Sequence, residues 1–164
     1  MDQPLHYAGF WKRLAATLID MVLITVVIAL LLWVVYGEAY LNRAQPVPGN
    51  LSGLFLGPAD AFIQLVVPMV LLFVFWKYRC ATPGKMLLSL KIVDARTGKA
   101  PSTVQLVGRF FAYLVSTVPL GLGFLWIAFD RRKQGWHDKL AGTVVITERN
   151  AREDASAAAA RPDR

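Results

Sequence analysis

Twenty-three consecutive residues, Leu14 to Tyr36, include one charged side chain, Asp20. A helix of about 20 apolar residues crosses a bilayer core about 30 Å thick. A chain of 164 residues makes one domain, and the charges outside the apolar runs leave a membrane as the best place for such a helix. No Lys or Arg precedes Lys12, and no small-residue cleavage site follows the run. A removable signal peptide is therefore the weaker reading.

Two further apolar runs follow. Ala61 to Trp76 is short for a span, at about 24 Å for about 1.5 Å per residue. Extending it back through Gly57 lengthens it and puts Asp60 near the interface. Pro68 inside it removes one backbone donor and favours a kink. Phe110 to Phe129 carries no charge but is interrupted by Pro119, Gly121 and Gly123. It reads as one bent span or as a helical hairpin turning at Pro119-Leu120-Gly121. The fold class expected is an all-α membrane protein, a small helical bundle of three to four membrane segments.

The basic residues favour the hairpin. Seventeen of the eighteen Lys and Arg residues lie in the N-terminus, in the segment Lys77 to Arg109 and after Asp130, against one, Arg43, between the first two spans. Basic flanks stay cytoplasmic. The N-terminus, the second loop and the tail are therefore expected inside, and the Pro/Gly/Asn-rich first loop outside. A single third span would strand Arg131-Arg132-Lys133 on the wrong face; a hairpin returns the chain. Its cost is that each arm is short for a crossing.

The cytoplasmic pieces carry local signals. Thr82 can cap a helix whose first residue is Pro83. Met86, Leu87, Leu88 and Leu90, flanked by Lys85 and Lys91, suggest a short interfacial helix with both lysines toward anionic lipid headgroups. Leu90 to Asp94, followed by a Thr97-Gly98 turn, reads as a strand, and Thr143 to Thr147 as its partner in a small β element. Residues 150–164 form an Ala/Arg/Asp tail expected to be disordered and cytoplasmic, leaving 1–149 as the membrane domain. Trp11, Trp33, Trp76 and Trp126 lie near span ends, where aromatic belts anchor helices.

Composition limits the chemistry. The apolar fraction is 55%, with a mean hydropathy of +0.44 and a net charge of +7, which excludes a disordered chain. Cys80 alone builds neither a disulfide framework nor a cysteine metal cluster. His6 and His137 leave a zinc site short of ligands, so no metal is identified and no cofactor is implied. No serine or cysteine nucleophile pattern accompanies His137-Asp138, and an enzyme is not expected. The basic residues sit where topology requires them, so nucleic-acid binding is a poor reading.

Asp20 is the outstanding candidate. If Trp11 marks the interface, Asp20 lies about 13.5 Å deeper at about 1.5 Å per residue, and a charge at mid-membrane costs about 2.5–3.5 kcal/mol on insertion scales. It needs a partner, water or a proton. Arg13 and Thr17 share its helix face, although helical side chains lean toward the N-terminus, so Arg13 leans away from Asp20. The cluster reads either as a buried polar pair fixing helix register or as a cation or proton site. Arg109 opens the third run and either snorkels or meets Asp20 or Asp138. Asp130 beside Arg131-Arg132-Lys133 reads best as an ordinary charged border.

Several separate motifs together resemble the RDD family of prokaryotic membrane proteins. They are Tyr7-Ala8-Gly9-Phe10-Trp11-Lys12-Arg13-Leu14 leading to Asp20, Thr82-Pro83-Gly84-Lys85 with Leu90-Lys91-Ile92-Val93-Asp94 and Thr97-Gly98, and Asp130-Arg131-Arg132-Lys133 with His137-Asp138-Lys139-Leu140-Ala141-Gly142-Thr143. The family takes its name from one arginine and two aspartates. Arg13 and Asp20 match the first two; Asp138 is the better match for the third and Asp130 the poorer one. The resemblance implies a multi-pass protein of the bacterial inner membrane, of largely unknown molecular function, for which transport has been proposed. The polar cluster Arg13, Asp20 and Asp138 is then an ion or proton site of a small transport or ion-coupling protein, implying a homo-oligomer or a larger membrane complex in contact with anionic lipid. The alternative is a non-transporting scaffold or accessory subunit whose cluster is structural.

Overall fold

The computed structural model describes residues 6–41, 55, 57–119 and 121–148. The tail 150–164, most of the first loop, and Leu120 of the expected turn lie outside the described residues. In chain order the elements are α1 (Phe10–Tyr36), α2 (Glu38–Leu41), α3 (Pro58–Arg79), α4 (Pro83–Leu87), β1 (Leu90–Asp94), α5 (Thr103–Thr117), α6 (Leu122–Phe129), α7 (Trp136–Ala141) and β2 (Thr143–Thr147).

Helices α1 and α3 are long and apolar enough to cross a membrane. At about 1.5 Å per residue α1 is about 40 Å long, beyond the thickness of the apolar core. Its surplus lies at the Phe10 end, where Arg13 and Ala16 are buried. Along the most apolar stretch of α1 only 6% of residues are buried by protein, and 11% along that of α3. Lipid is the solvent these faces suit. At the far end the backbone N–H of Asp60 donates to the Tyr36 hydroxyl at 2.9 Å, tying α3 to α1.

The third apolar run is not straight. Ser102 and Gln105 form a capping box that starts α5, and α5 and α6 are bent by 100° at the break between them. Gly123 permits the fold-back: a Cβ there would lie 2.7 Å from the Ser116 Cα. Helix α7 then packs along α5, and the chain returns to the end of the molecule where α1 begins. The fold-back has the hairpin form expected of the third apolar run.

There the small sheet closes the assembly. Strands β1 and β2 pair antiparallel, with Leu90 opposite Thr147 and Asp94 opposite Thr143. The turn after β1 is built by Asp94, whose Oδ1 accepts the N–H groups of Arg96 and Thr97 at 2.8 Å each. These bonds, with one donated by Gln105, hold its carboxyl down to about 2. Ahead of α1, the Ala8 N–H donates to the Val145 carbonyl at 2.9 Å. The core there gathers Ala8, Ala16, Trp76, Leu90, Ile92, Leu106 and Val145. Trp76 corrects the expected aromatic belt. Trp11, Trp33 and Trp126 are exposed, but Trp76 is fully buried, because α5 and the sheet cover the end of α3.

Candidate functional site: a carboxylate between two arginines

Asp138 is the third residue of α7, and its Oδ2 accepts the Gly135 N–H at 3.0 Å. An acidic side chain in a first turn caps exposed amide groups and suits the helix dipole. Two arginines from other helices close on the same carboxylate. Arg13 Nη1 lies 2.5 Å from Oδ2, and Arg109 Nη1 pairs with Oδ1. Asp138 is 0% exposed, Arg109 1% and Arg13 6%, so the charges are withdrawn from solvent together.

Each arginine is held further. Arg13 Nε donates to the Ala8 carbonyl at 3.1 Å, and Nη2 reaches the Val145 carbonyl at 3.5 Å. Arg109 Nη1 donates to Thr143 Oγ1 at 2.7 Å, and its guanidinium lies 5.6 Å from the Trp76 ring and 5.7 Å from the Tyr113 ring. Burial alone would raise the Asp138 carboxyl, but Arg109 and Arg13 outweigh it and hold the group well below the usual carboxylate range. Asp138 therefore stays ionised at physiological pH and is poorly suited to carry a proton.

A third basic side chain adjoins the ion pairs. Lys85 of α4 is 7% exposed, and with Arg13, Arg109 and Tyr113 it lines a cavity of about 140 Å³. It makes no hydrogen bond or ion pair with any described residue. Burial pushes its ammonium below the ordinary value. His137, also on the cavity wall, stacks on Tyr113 with ring centroids 4.4 Å apart. Burial lowers its pKa to about 3, so it is neutral. Three basic side chains thus gather around one carboxylate.

Asp20 is elsewhere. Its Oδ2 accepts the Thr82 hydroxyl at 2.5 Å and its Oδ1 the Gly84 N–H at 2.7 Å. The expected Thr82 cap is thereby corrected: Thr82 is the N-cap residue of α4 but makes no side-chain cap bond. Asp20 supplies the acceptor from α1 instead. The close approach needs a glycine, since a Cβ on Gly84 would lie 2.2 Å from the Ala16 carbonyl oxygen. Asp20 marks the border between the packed start of α1, where Arg13 and Ala16 are buried, and the mostly exposed apolar length that follows.

The other expected residues divide. Thr17 lines the cavity, and its hydroxyl donates to the Arg13 carbonyl at 3.0 Å. Arg109 pairs with Asp138, the second of the two roles open to it. Asp130 pairs with Lys139 at 2.5 Å, outside the cluster. Lys91 lies 3.1 Å from Glu148 and is half-exposed. Lys85 is a correction, because it turns inward and not toward the surface. Helix α1 packs against α4, and residues of α1 and α5 line the cavity that Lys85 enters. Tyr113 went unnoticed, although its place four residues after Arg109 puts both on one helix face. Among the described residues no three His, Cys, Asp or Glu side chains converge as a metal site.

The RDD family matches residues 7–142. An uncharacterized protein of Rickettsia prowazekii is 50% identical over 72 residues, 44% of this chain and 39% of that relative, so the chain spans well under half of its length. The uncharacterized membrane protein YteJ of Bacillus subtilis is 30% identical over 148 residues, covering 87% of this chain and 82% of YteJ. The uncharacterized protein YxaI of Bacillus subtilis is 29% identical over 154 residues, covering 89% and 99%. No solved structure matches.

Proposed function

The chain belongs to the RDD family and is a membrane protein, and from that premise we propose that it serves as a small transport or ion-coupling protein of the bacterial inner membrane whose ion is an anion. One observation carries this reading: Arg13, Arg109 and Lys85 line a cavity, and among the described residues only the Asp138 carboxylate pairs with any of them. Buried charge without a partner is costly, and an incoming anion removes that cost. A proton or cation role for Asp20 has less support, because both its oxygens already accept strong hydrogen bonds. In this reading the N-terminus, the segment between α3 and α5, and the tail face the cytoplasm, following the basic residues. A pathway through so small a protomer implies an oligomer or a larger complex. The role is binding and movement of an ion, with no catalysis.

The test is flux in reconstituted vesicles. Wild-type protein should dissipate an inorganic phosphate or chloride gradient, and Lys85→Gln should slow it about tenfold or more while folding persists. Equal flux in both proteins, or none in wild type, would remove the transport reading. A second reading is a non-transporting scaffold. It is favoured by the way Asp138 binds α1 and α5 to α7 through Arg13 and Arg109. It predicts no flux and loss of assembly when the carboxylate is neutralised.

A further inference from the structure

The cavity beside Lys85 has two unlike sides. Arg13, Lys85, Arg109 and Tyr113 supply the polar side, and Phe10, Leu14, Phe124 and Ile127 much of the rest. It also reaches the outer surface of α1. Leu14 lines it yet is 36% exposed, and Thr17 is both a lining residue and exposed. Neighbouring Trp11 and Leu18 are 76% and 54% exposed, an apolar surface suited to lipid. The mouth lies one to two turns of α1 before Asp20, where the packed assembly gives way to the lipid-facing helix. A bilayer whose surface lies at that border would bring phospholipid phosphates to the mouth. A soluble anion needs no apolar wall and no opening of this kind.

We propose that this cavity binds the phosphate of an anionic membrane amphiphile, with Lys85, Arg13 and Arg109 around the phosphate and the acyl chain leaving past Leu14 and Thr17. The assignment rests on the anion reading above and narrows it to a lipid. Size sharpens it further. A cavity of about 150 Å³ accepts a benzene-sized group, and this one measures about 140 Å³. It takes a bare phosphate more easily than a phosphate bearing a further polar group, so a phosphomonoester lipid is favoured over a glycerol-capped one. Lys85 is the cation whose charge the ligand completes, since Arg13 and Arg109 are already shared with Asp138.

The experiment is native mass spectrometry of the full chain titrated with phosphatidic acid, phosphatidylglycerol and phosphatidylcholine, alongside thermal shifts with inorganic phosphate. Phosphatidic acid should bind about tenfold more tightly than phosphatidylcholine, with phosphatidylglycerol between them. Lys85→Gln should abolish that preference. Thr17→Trp, which fills the mouth and removes no charge, should weaken the lipid more than inorganic phosphate; circular dichroism checks both folds. A lipid preference that survives Lys85→Gln would place recruitment on surface cations and overturn the site. Stabilisation by inorganic phosphate, lost in Lys85→Gln and without lipid preference, would overturn the amphiphile and keep the anion. Binding of neither would overturn both.

Discussion

Two aspartates pose the same problem of burial and are answered in different ways. Asp138 sits in the packed end of the molecule, fully buried between Arg13 and Arg109. Asp20 sits at the border of the lipid-facing part of α1 and is satisfied by a hydroxyl and a backbone amide. The first solution gathers charge, pins three helices and leaves a positive excess. The second is local and joins α1 to the start of α4 through neutral donors. A carboxylate near a membrane therefore need not be an ion site; the partners decide. By that measure the anion site proposed above belongs to the Asp138 end, although Asp20 is the more conspicuous residue in the sequence.

Neutralising each carboxylate should separate the two. Asp138→Asn leaves two buried guanidinium groups sharing an uncharged partner. Removing one member of a buried ion pair costs about 3–5 kcal/mol. Detergent-solubilised Asp138→Asn protein should therefore melt far below wild type or fail to accumulate in the membrane. Acid should do the same to wild type. The folded-state pKa of Asp138 is depressed, so its stabilisation is present above the unfolded value of about 3.9 and is lost as the pH falls through the folded one. A melting temperature within a degree or two of wild type would show that Arg13 and Arg109 find other partners, and the contrast with Asp20 would collapse.

Asp20→Asn should cost less. The amide oxygen can keep one of the two bonds, and the lost one is a charge-assisted hydrogen bond worth about 1.5–3 kcal/mol, offset in part because no buried cation is left behind. A loss of about 1–2 kcal/mol is expected in denaturant titration. Protease cleavage near Thr82 should increase as α4 loosens from α1. A penalty equal to that of Asp138→Asn would mean that Asp20 carries more than the α4 contact.

What was legible in the sequence follows the same division. The apolar runs, the broken third run, both strands and the start of α4 at Pro83 depend on neighbours close in sequence, and all can be read from periodicity and turn residues. The pairing of Arg13 with Asp138 spans 125 positions and was legible only through the family motif. The Asp20–Thr82 bond spans 62 positions and had no signal beyond Gly84, whose lack of a side chain marks a close approach without naming the partner. Trp76 and Lys85 were misplaced for one reason. Both look interfacial by position, and both are covered by elements distant in the chain, α5 over Trp76 and α1 with α5 around Lys85. Amphipathic patterning tells which residues can face a membrane surface, but it does not tell which of them another element reaches first.

Lys85 supplies the smallest expected effect on stability and the one of opposite sign. Its ammonium is buried and faces no carboxylate of its own, so Lys85→Met removes a desolvated charge and keeps an unbranched chain of similar length. In detergent free of phospholipid the variant should melt at or slightly above wild type, whereas both aspartate variants melt below it. The pH dependence follows from the depressed folded-state value. Because the unfolded chain holds that proton more tightly, wild-type stability rises with pH between the folded value and the unfolded value of about 10.4. The advantage of Lys85→Met should accordingly be largest near neutrality and shrink as the pH is raised toward that limit. Adding phosphatidic acid should reverse the order, since wild type then gains a partner that the variant cannot hold. If Lys85→Met destabilises the lipid-free protein as the aspartate variants do, the ammonium has a partner of its own and the positive excess beside Asp138 is already neutralised.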